Sequence, residues 1–362
     1  MTTRSAGPGP TARSYALHSR PRRDEHRHTF PCFGGECTVI VADSARSADA
    51  AAAAAMAKRA LLTWHRRFSR FLDESELSQL NRDLSPTVAV SPLMRRMTEV
   101  ALKAARDNGG LVDFTLGDEI ELAGYPAHME GEGTALAAAL ELAPPRAPAS
   151  PHPDERWRRI SIDRDRGRVC RPPGLRIDVG GIAKGVFADE LSAMLDGFDA
   201  YALDCAGDLR VGGRAQLPRS VHVTSPFDGA VLDTFPRTQG GVATSGIGRR
   251  SWTLADGRPG HHLLDPRTGT PAFTGVVQAT ALAPTAAEAE VLAKAAVLSG
   301  PARAAEWLTS GGLIVRDDGS YERLEPAASG SRAPARADSQ SQTSSSTASR
   351  SGSLKISWKR PS

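Results

Sequence analysis

Apolar and polar positions change period several times along the chain, and each change predicts an element. "FPCFGGECTVIVA", from Phe30 to Ala42, reads as a strand interrupted by glycine, and the Ala-rich amphipathic stretch after it predicts a helix through about Arg67. Within "FSRFLDESELSQLNR" a turn is expected at Asp73, with Glu76 three residues on as the partner of a capping box for a short helix. A helix over 91–108 is stopped by Asn108-Gly109-Gly110. Residues 126–156 mix Pro, Gly, Ala and charge, and read as a loop with one short helix. Alternating strands follow in "RISIDRDRGRVC", then a helix ending at Leu195, then strands at 201–211, 219–225 and 230–235. The strand "VVQATALAP", helices over 285–299 and 301–309, and the hairpin "GGLIVRDDGSYERL" close the pattern. Strands next to strands, with helices grouped between them, predict an α+β fold rather than a strictly alternating Rossmann arrangement.

Charge refines this picture at both ends. The 362 residues carry a net charge of +4, yet six arginines against Asp24 and Glu25 give residues 1–28 a charge of +4. Six Lys/Arg (Arg332, Arg336, Arg350, Lys355, Lys359, Arg360) against Asp338 give residues 327–362 a charge of +5, which leaves −5 for the body. A nucleic-acid groove would put its positive charge on the folded face, so nucleic acid is not an expected partner. Both ends lack an apolar period and are expected to be disordered basic tails around a domain spanning 29–326. With no apolar run of about 18 residues and no signal-peptide core, no transmembrane segment is expected and a cytoplasmic location is. Cys32, Cys37, Cys170 and Cys205 fit no zinc spacing and are expected as free thiols.

Candidate chemistry centres on "RIDVGGIAKGVFADE", Arg176 to Glu190. Glycines there would let an anion reach main-chain N–H groups, and the following helix would add its positive end. The spacing is not that of a Walker A loop, since no Ser or Thr follows Lys184, and a glycine turn used only for packing is the plainer reading of this stretch by itself. Three further stretches accompany it. "VATSGIGRRSW" reads as a small-residue turn, Thr244-Ser245-Gly246, flanked by arginines; "HHLLDPRTGTP" sets His262 three residues before Asp265-Pro266. "ALAPTAAEAEVLAKAA" is a strand ending at Pro284, with Thr285 as N-cap and Glu288 at N3 of the next helix.

Taken in order, "FGGECTVIV", "FSRFLDESELSQLN", "GGLVDFTLG", "DVGGIAKGVFAD", "VATSG" and "HHLLDPRTGTP" resemble the ApbE family of FAD:protein FMN transferases, from about Phe30 to Leu324, with the "ALAPTAAEAEVLAKAA" helix as a partial seventh match. The resemblance implies a mixed fold with antiparallel-rich sheets and flanking helices, an FAD site between its two halves, and a divalent metal, usually Mg²⁺. It implies FAD contacts at Phe33, Leu111, Val112, Asp113, Asp178, Lys184 and Leu264, a metal-coordinating carbonyl at Gly181, and His262 with Lys184 as the catalytic pair. The implied reaction moves FMN from FAD to a Thr or Ser hydroxyl of an acceptor protein, with release of AMP. Hydrolysis of FAD to FMN and AMP, and FAD binding without transfer, remain open alternatives. The chain departs from the family where an Asp and, four residues later, a Thr normally hold the metal: Glu290 and Lys294 stand at those positions. A longer carboxylate still ligates, whereas a protonated lysine cannot, and its ammonium competes with a cation for the same negative field. The family's lipoprotein signal is also missing, and Ile247 replaces the Asp or Tyr that often follows the Ser-Gly turn.

Overall fold

The computed structural model describes the backbone of residues 15–18 together with residues 24–127 and 135–327. Among them one antiparallel sheet is made of β1 (Glu25–Cys32), β2 (Gly35–Ala42), β3 (Ala200–Cys205), β4 (Asp208–Gly212), β5 (Gly240–Gly246), β6 (Val276–Ala283), β7 (Gly312–Arg316) and β8 (Tyr321–Leu324), which lie side by side in chain order. Three helices form a layer on this sheet: α1 (Ser47–Arg67) on β1 and β2, α3 (Ala183–Leu195) on β3 and β4, and α4 (Ala286–Ser299) on β5 and β6. Between α1 and α3 in the chain, α2 (Pro92–Asp107) packs against α3 and α4. A smaller sheet of Tyr15–His18, Arg219–Thr224 and Val231–Arg237 completes a second core, where Val221, Val223 and Phe235 join Leu209, Val211 and Val242. The fold is thus mixed α+β.

Local sequence accounts for the helices. Ala50, Ala54, Ala57 and Leu61 recur every three or four residues on α1 and are buried, one apolar stripe against the sheet. The Ser91 side chain accepts from Met94 N–H to start α2, with Pro92 at the position where its missing donor is harmless. The short helix Glu76–Arg82 begins two residues later than expected: Ser75, not Asp73, caps it by accepting from Ser78 N–H. The loop over 126–156 holds the helix Leu136–Glu141, and residues 128–134 lie outside the described residues.

Two expectations are corrected. Thr244-Ser245-Gly246 is not a turn but the end of β5, an interior strand paired with β4 and β6. Its small residues serve packing: a Cβ on Gly241 would lie 2.3 Å from Thr285 O, so α4 could not approach. The folded body also starts before residue 29, since β1 begins at Glu25 and Tyr15–His18 pairs with Arg219–Thr224. Charged and histidine residues in "EHRHTFPC" hide the strand period, as suits an edge strand whose outward positions must deter further pairing. The C-terminal tail from 328 onward lies outside the described residues.

The glycine interruption in "FPCFGGECTVIVA" is a two-residue hairpin turn. Phe33 (φ 58°) and Gly34 (φ 68°) are both left-handed, the geometry that matches strand twist, at a strain cost for a phenylalanine. Ala206 (φ 50°) and Gly207 make the equivalent turn between β3 and β4. The turns are neighbours, since a Cβ on Gly35 would lie 3.1 Å from Ala206 Cβ. All four cysteines are free; Cys32, Cys37 and Cys205 are buried and Cys170 is half-buried.

Candidate functional site

The motif Asp178–Lys184 leads into α3, and α3 starts against the start of α4. Contact is this close because residue 185 is glycine: a Cβ there would lie 2.5 Å from Ala287 Cα. The two helices exchange carboxylates across the junction. Glu290, one turn into α4, accepts the Gly185 N–H at 2.9 Å. Asp189 of α3 accepts Ala286 N–H at 2.9 Å and Ala287 N–H at 3.0 Å, while Thr285 caps the same helix by accepting from Glu288 N–H. Orphan donors at both helix starts thus meet acids from within the protein. The expected Thr285 cap is present, and the Gly185 N–H is directed to Glu290 rather than left for an external anion.

Four charged side chains gather at this junction. Lys184 Nζ donates to Asp208 Oδ2 at 2.5 Å and lies 3.5 Å from Glu290 Oε1; Lys294 Nζ donates to the same Glu290 oxygen at 3.1 Å. Asp208 and Glu290 are each 1% exposed and Lys294 8%. Burial, then the nearby Glu290 carboxylate, push Asp208 up to about 7 against the pull of Lys184 and Lys294. Burial works against Lys184 as well, but Asp208 and Glu290 outweigh it and hold the ammonium above the usual lysine range. Burial would raise Glu290, yet Lys294, Lys184 and the Gly185 N–H keep it below the usual carboxylate range. Asp208 is set by the β3–β4 turn, and Ala243 of β5 is its cross-strand partner.

Arg250 joins this cluster to the hairpin turn and to His262. Its Nη2 donates to Phe33 O at 3.0 Å, its carbonyl accepts the His262 N–H at 3.3 Å, and its charge acts on both Lys184 and His262. Burial, then Arg250, His261 and Lys294, hold the His262 imidazole well below the usual histidine range, so it is neutral at pH 7. Its Nδ1 is buried and has no hydrogen-bond partner among the described residues. The neighbouring Asp265 is a turn residue, accepting from Ser150 N–H at 2.9 Å and Arg267 N–H at 3.1 Å.

Asp178 opens the motif. Its Oδ1 accepts the Gly180 N–H at 2.7 Å, its Oδ2 lies 3.5 Å from Arg70 Nε, and its own N–H donates to Phe114 O at 2.8 Å. That last bond ties "LVDFT" to the motif. Within it, Leu111 is buried, Val112 N–H donates to Asn108 Oδ1 at 3.0 Å, and Asp113 Oδ1 accepts from the Thr115 N–H and hydroxyl. Asp113 Oδ2 is buried without a partner among the described residues, and burial raises that carboxyl. Arg70 packs over Phe71 and Tyr125, at 4.2 and 4.7 Å from the ring centroids, and Tyr125 stacks on Trp252. Phe33 packs on Phe187 and edge-on to His65, and Leu264 sits in an apolar cluster with Leu116, Ile120 and Ala123. Leu264 and Leu111 therefore offer little side-chain surface to a ligand.

Four residues of this site were not expected from the sequence: Asp208, Arg70, Arg250 and Asp189. The arginines after "VATSG" were the one visible signal, since a pair of cations beside a small-residue segment is an unusual neighbour for a buried strand.

The donor set does not fit a divalent cation. Lys294 Nζ occupies Glu290 Oε1, Gly185 N–H occupies Oε2, and the Lys294 stem covers Gly181, with Cε 3.4 Å from where a Cβ would be. Among the described residues no three His, Cys, Asp or Glu side chains gather as a cation cage. Gly181, Glu290 and Lys294 do come together as the resemblance implies, but around an ammonium.

The model of the ApbE family matches residues 33–315. The FAD:protein FMN transferase of Escherichia coli is 26% identical over 263 residues, covering 68% of this chain and 71% of that protein. The FAD:protein FMN transferase of Salmonella typhimurium is 28% identical over 257 residues, covering 68% and 71%. Among solved structures, the ApbE protein of Thermotoga maritima superposes with a TM-score of 0.68 at 24% identity, covering 83% of this chain and 97% of that one. The apo form of the Pseudomonas stutzeri flavinyl transferase ApbE gives a TM-score of 0.65 at 20% identity, covering 83% and 94%. At these identities the superpositions speak for the fold. The family match spans well over half of the sequence, and the chain belongs to the ApbE family.

Proposed function

We propose that the protein is an FAD:protein FMN transferase, moving FMN from FAD to a Thr or Ser hydroxyl of an acceptor protein with release of AMP. The observation that carries this reading is the meeting of three cations, buried Lys294 and half-buried Lys184 and Arg250, with a neutral His262 at the α3–α4 junction. It is supported by relatives that bear that name. The acceptor oxygen attacks the FMN-side phosphorus as its proton passes to His262; the bond from that phosphorus to the bridging oxygen breaks, and AMP leaves with the electron pair. Such transfers need positioning and charge neutralisation more than covalent help. Lys184 and Arg250 offset the charge gathering on the phosphoryl oxygens. A general base at His262 contributes about 10²–10⁴-fold.

Asp178, oriented by Arg70 and Gly180, holds the ribose or adenine side, and the Leu111–Asp113 segment lies along the flavin nucleotide, with Phe33 as an apolar wall and Leu264 and Leu111, whose side chains are buried, contributing through their backbone. Mg²⁺ belongs to what the resemblance implies, but the donors present do not fit it. No described helix is long and apolar enough to cross a membrane. The free cysteines suit a reducing, cytoplasmic setting.

The test is to incubate the protein with FAD and a Thr-bearing acceptor peptide. The peptide should gain FMN as a phosphoester with an equal amount of AMP. Free FMN and AMP beside an unmodified peptide would mean water is the acceptor, and intact FAD would mean binding without transfer.

A further inference from the structure

Glu290 and Lys294 are one turn apart on α4, the usual spacing of a helix ion pair. Such pairs normally line a solvated face. Here the helix is buried nearly all round, with Ala286, Ala287, Ala289, Val291, Ala293 and Ala295 all inside. The pair faces the α3–α4 junction: Glu290 reaches the Gly185 N–H, and the Lys294 stem lies over Gly181. Formal charge there is balanced, with Lys184 and Lys294 against Asp208 and Glu290. A divalent ion added to this set would have to evict Lys294 from Glu290 and leave the ammonium buried beside it, which is unfavourable on both counts. An ammonium also has three donors, of which Glu290 takes one, leaving it able to meet a phosphate oxygen.

We infer that Lys294 is the resident cation of this site, its ammonium filling the place beside Gly181 and Glu290 where the family resemblance puts a divalent ion, so that the protein holds FAD without a metal. This rests on the reading that FAD binds at the junction, and the test separates the two.

Full-length protein, stripped of metal, is passed through a desalting column after incubation with Mn²⁺, with and without FAD, and bound Mn²⁺ is read by electron paramagnetic resonance. In parallel, FAD is titrated by fluorescence in EDTA and in millimolar Mg²⁺. The wild type should retain no stoichiometric Mn²⁺, and its FAD dissociation constants in EDTA and Mg²⁺ should agree within about twofold. Lys294→Thr should retain Mn²⁺ and bind FAD about tenfold or more tightly with Mg²⁺ than in EDTA. Lys294→Gln serves in its place if the Thr variant does not melt cooperatively. Stoichiometric Mn²⁺ on the wild type, or loss of its FAD binding in EDTA, overturns the inference. If FAD binds under neither condition the transferase reading fails, and the Mn²⁺ measurement still decides the role of Lys294.

Discussion

Asp189 and Glu290 cap each other's helices: Asp189 of α3 accepts from the first two N–H groups of α4, and Glu290 of α4 accepts the Gly185 N–H near the start of α3. The exchange fixes the register of the two helices and so sets the spacing of Lys184 and Lys294. Removing Asp189 leaves two buried donors without an acceptor. Asp189→Ala should lower stability by about 1–3 kcal/mol in urea unfolding, with Asp189→Asn recovering part of the loss. A loss no larger than that of an ordinary surface substitution would mean that Thr285 alone suffices as the cap.

Gly185 is a packing glycine. A methyl at that position meets the α4 backbone, so Gly185→Ala must push the helices apart. Overpacking of this kind costs about 1–3 kcal/mol. The melting temperature should fall and FAD binding should weaken together; weakened binding at unchanged stability would place the glycine at the ligand instead.

His261 is buried, its Nε2 has no hydrogen-bond partner among the described residues, and burial lowers it to about 3 from 6.5. Between those values the unfolded chain binds a proton that the folded chain refuses, so stability is lost as pH falls from 6.5 toward 3. Its share is about 2 kcal/mol at pH 5. Urea unfolding at pH 7 and pH 5 should show at least this difference, and His261→Asn should reduce it by His261's share, the remainder coming from His262, which burial also lowers. An equal slope in the variant would assign the pH dependence to other groups.

His262 should behave as a group acting in the chemical step. His262→Ala should slow transfer by about 10²–10⁴-fold while changing the FAD dissociation constant little. Because burial and Arg250 keep the imidazole neutral, the wild-type rate should hold steady as pH falls through the ordinary histidine range and drop only below it. Equal losses in rate and affinity would return His262 to a structural role.

Much of this was readable in the sequence where chemistry is local. Thr285 and Glu288 mark the start of α4, and the register they set puts Glu290 and Lys294 at the positions where the family resemblance implies metal ligands. What sequence could not supply was partnership across elements. Asp208 follows a two-residue turn in a strand and looks like any turn acid until β4 places it at Lys184 Nζ. Arg70 and Asp178 are far apart in the chain and meet only when folded. The small residues of β5 suggested a turn because side-chain size, not backbone direction, is what they report; α4 crowds Gly241, while Gly246 is crowded by Val277 O beside the neighbouring strand.

The proposed function requires that the junction of Lys184, Asp208, Glu290 and Lys294 receive the diphosphate of an intact dinucleotide, with Asp178 and the Leu111–Asp113 segment, joined through Phe114 O, as further contacts. The most direct measurement is a pair of fluorescence titrations, FAD and FMN, on the wild type and on Lys184→Gln. Wild type should bind FAD at least about tenfold more tightly than FMN, and Lys184→Gln should lose most of that preference. Equal wild-type affinity for the two flavins, or a preference untouched by Lys184→Gln, would contradict it.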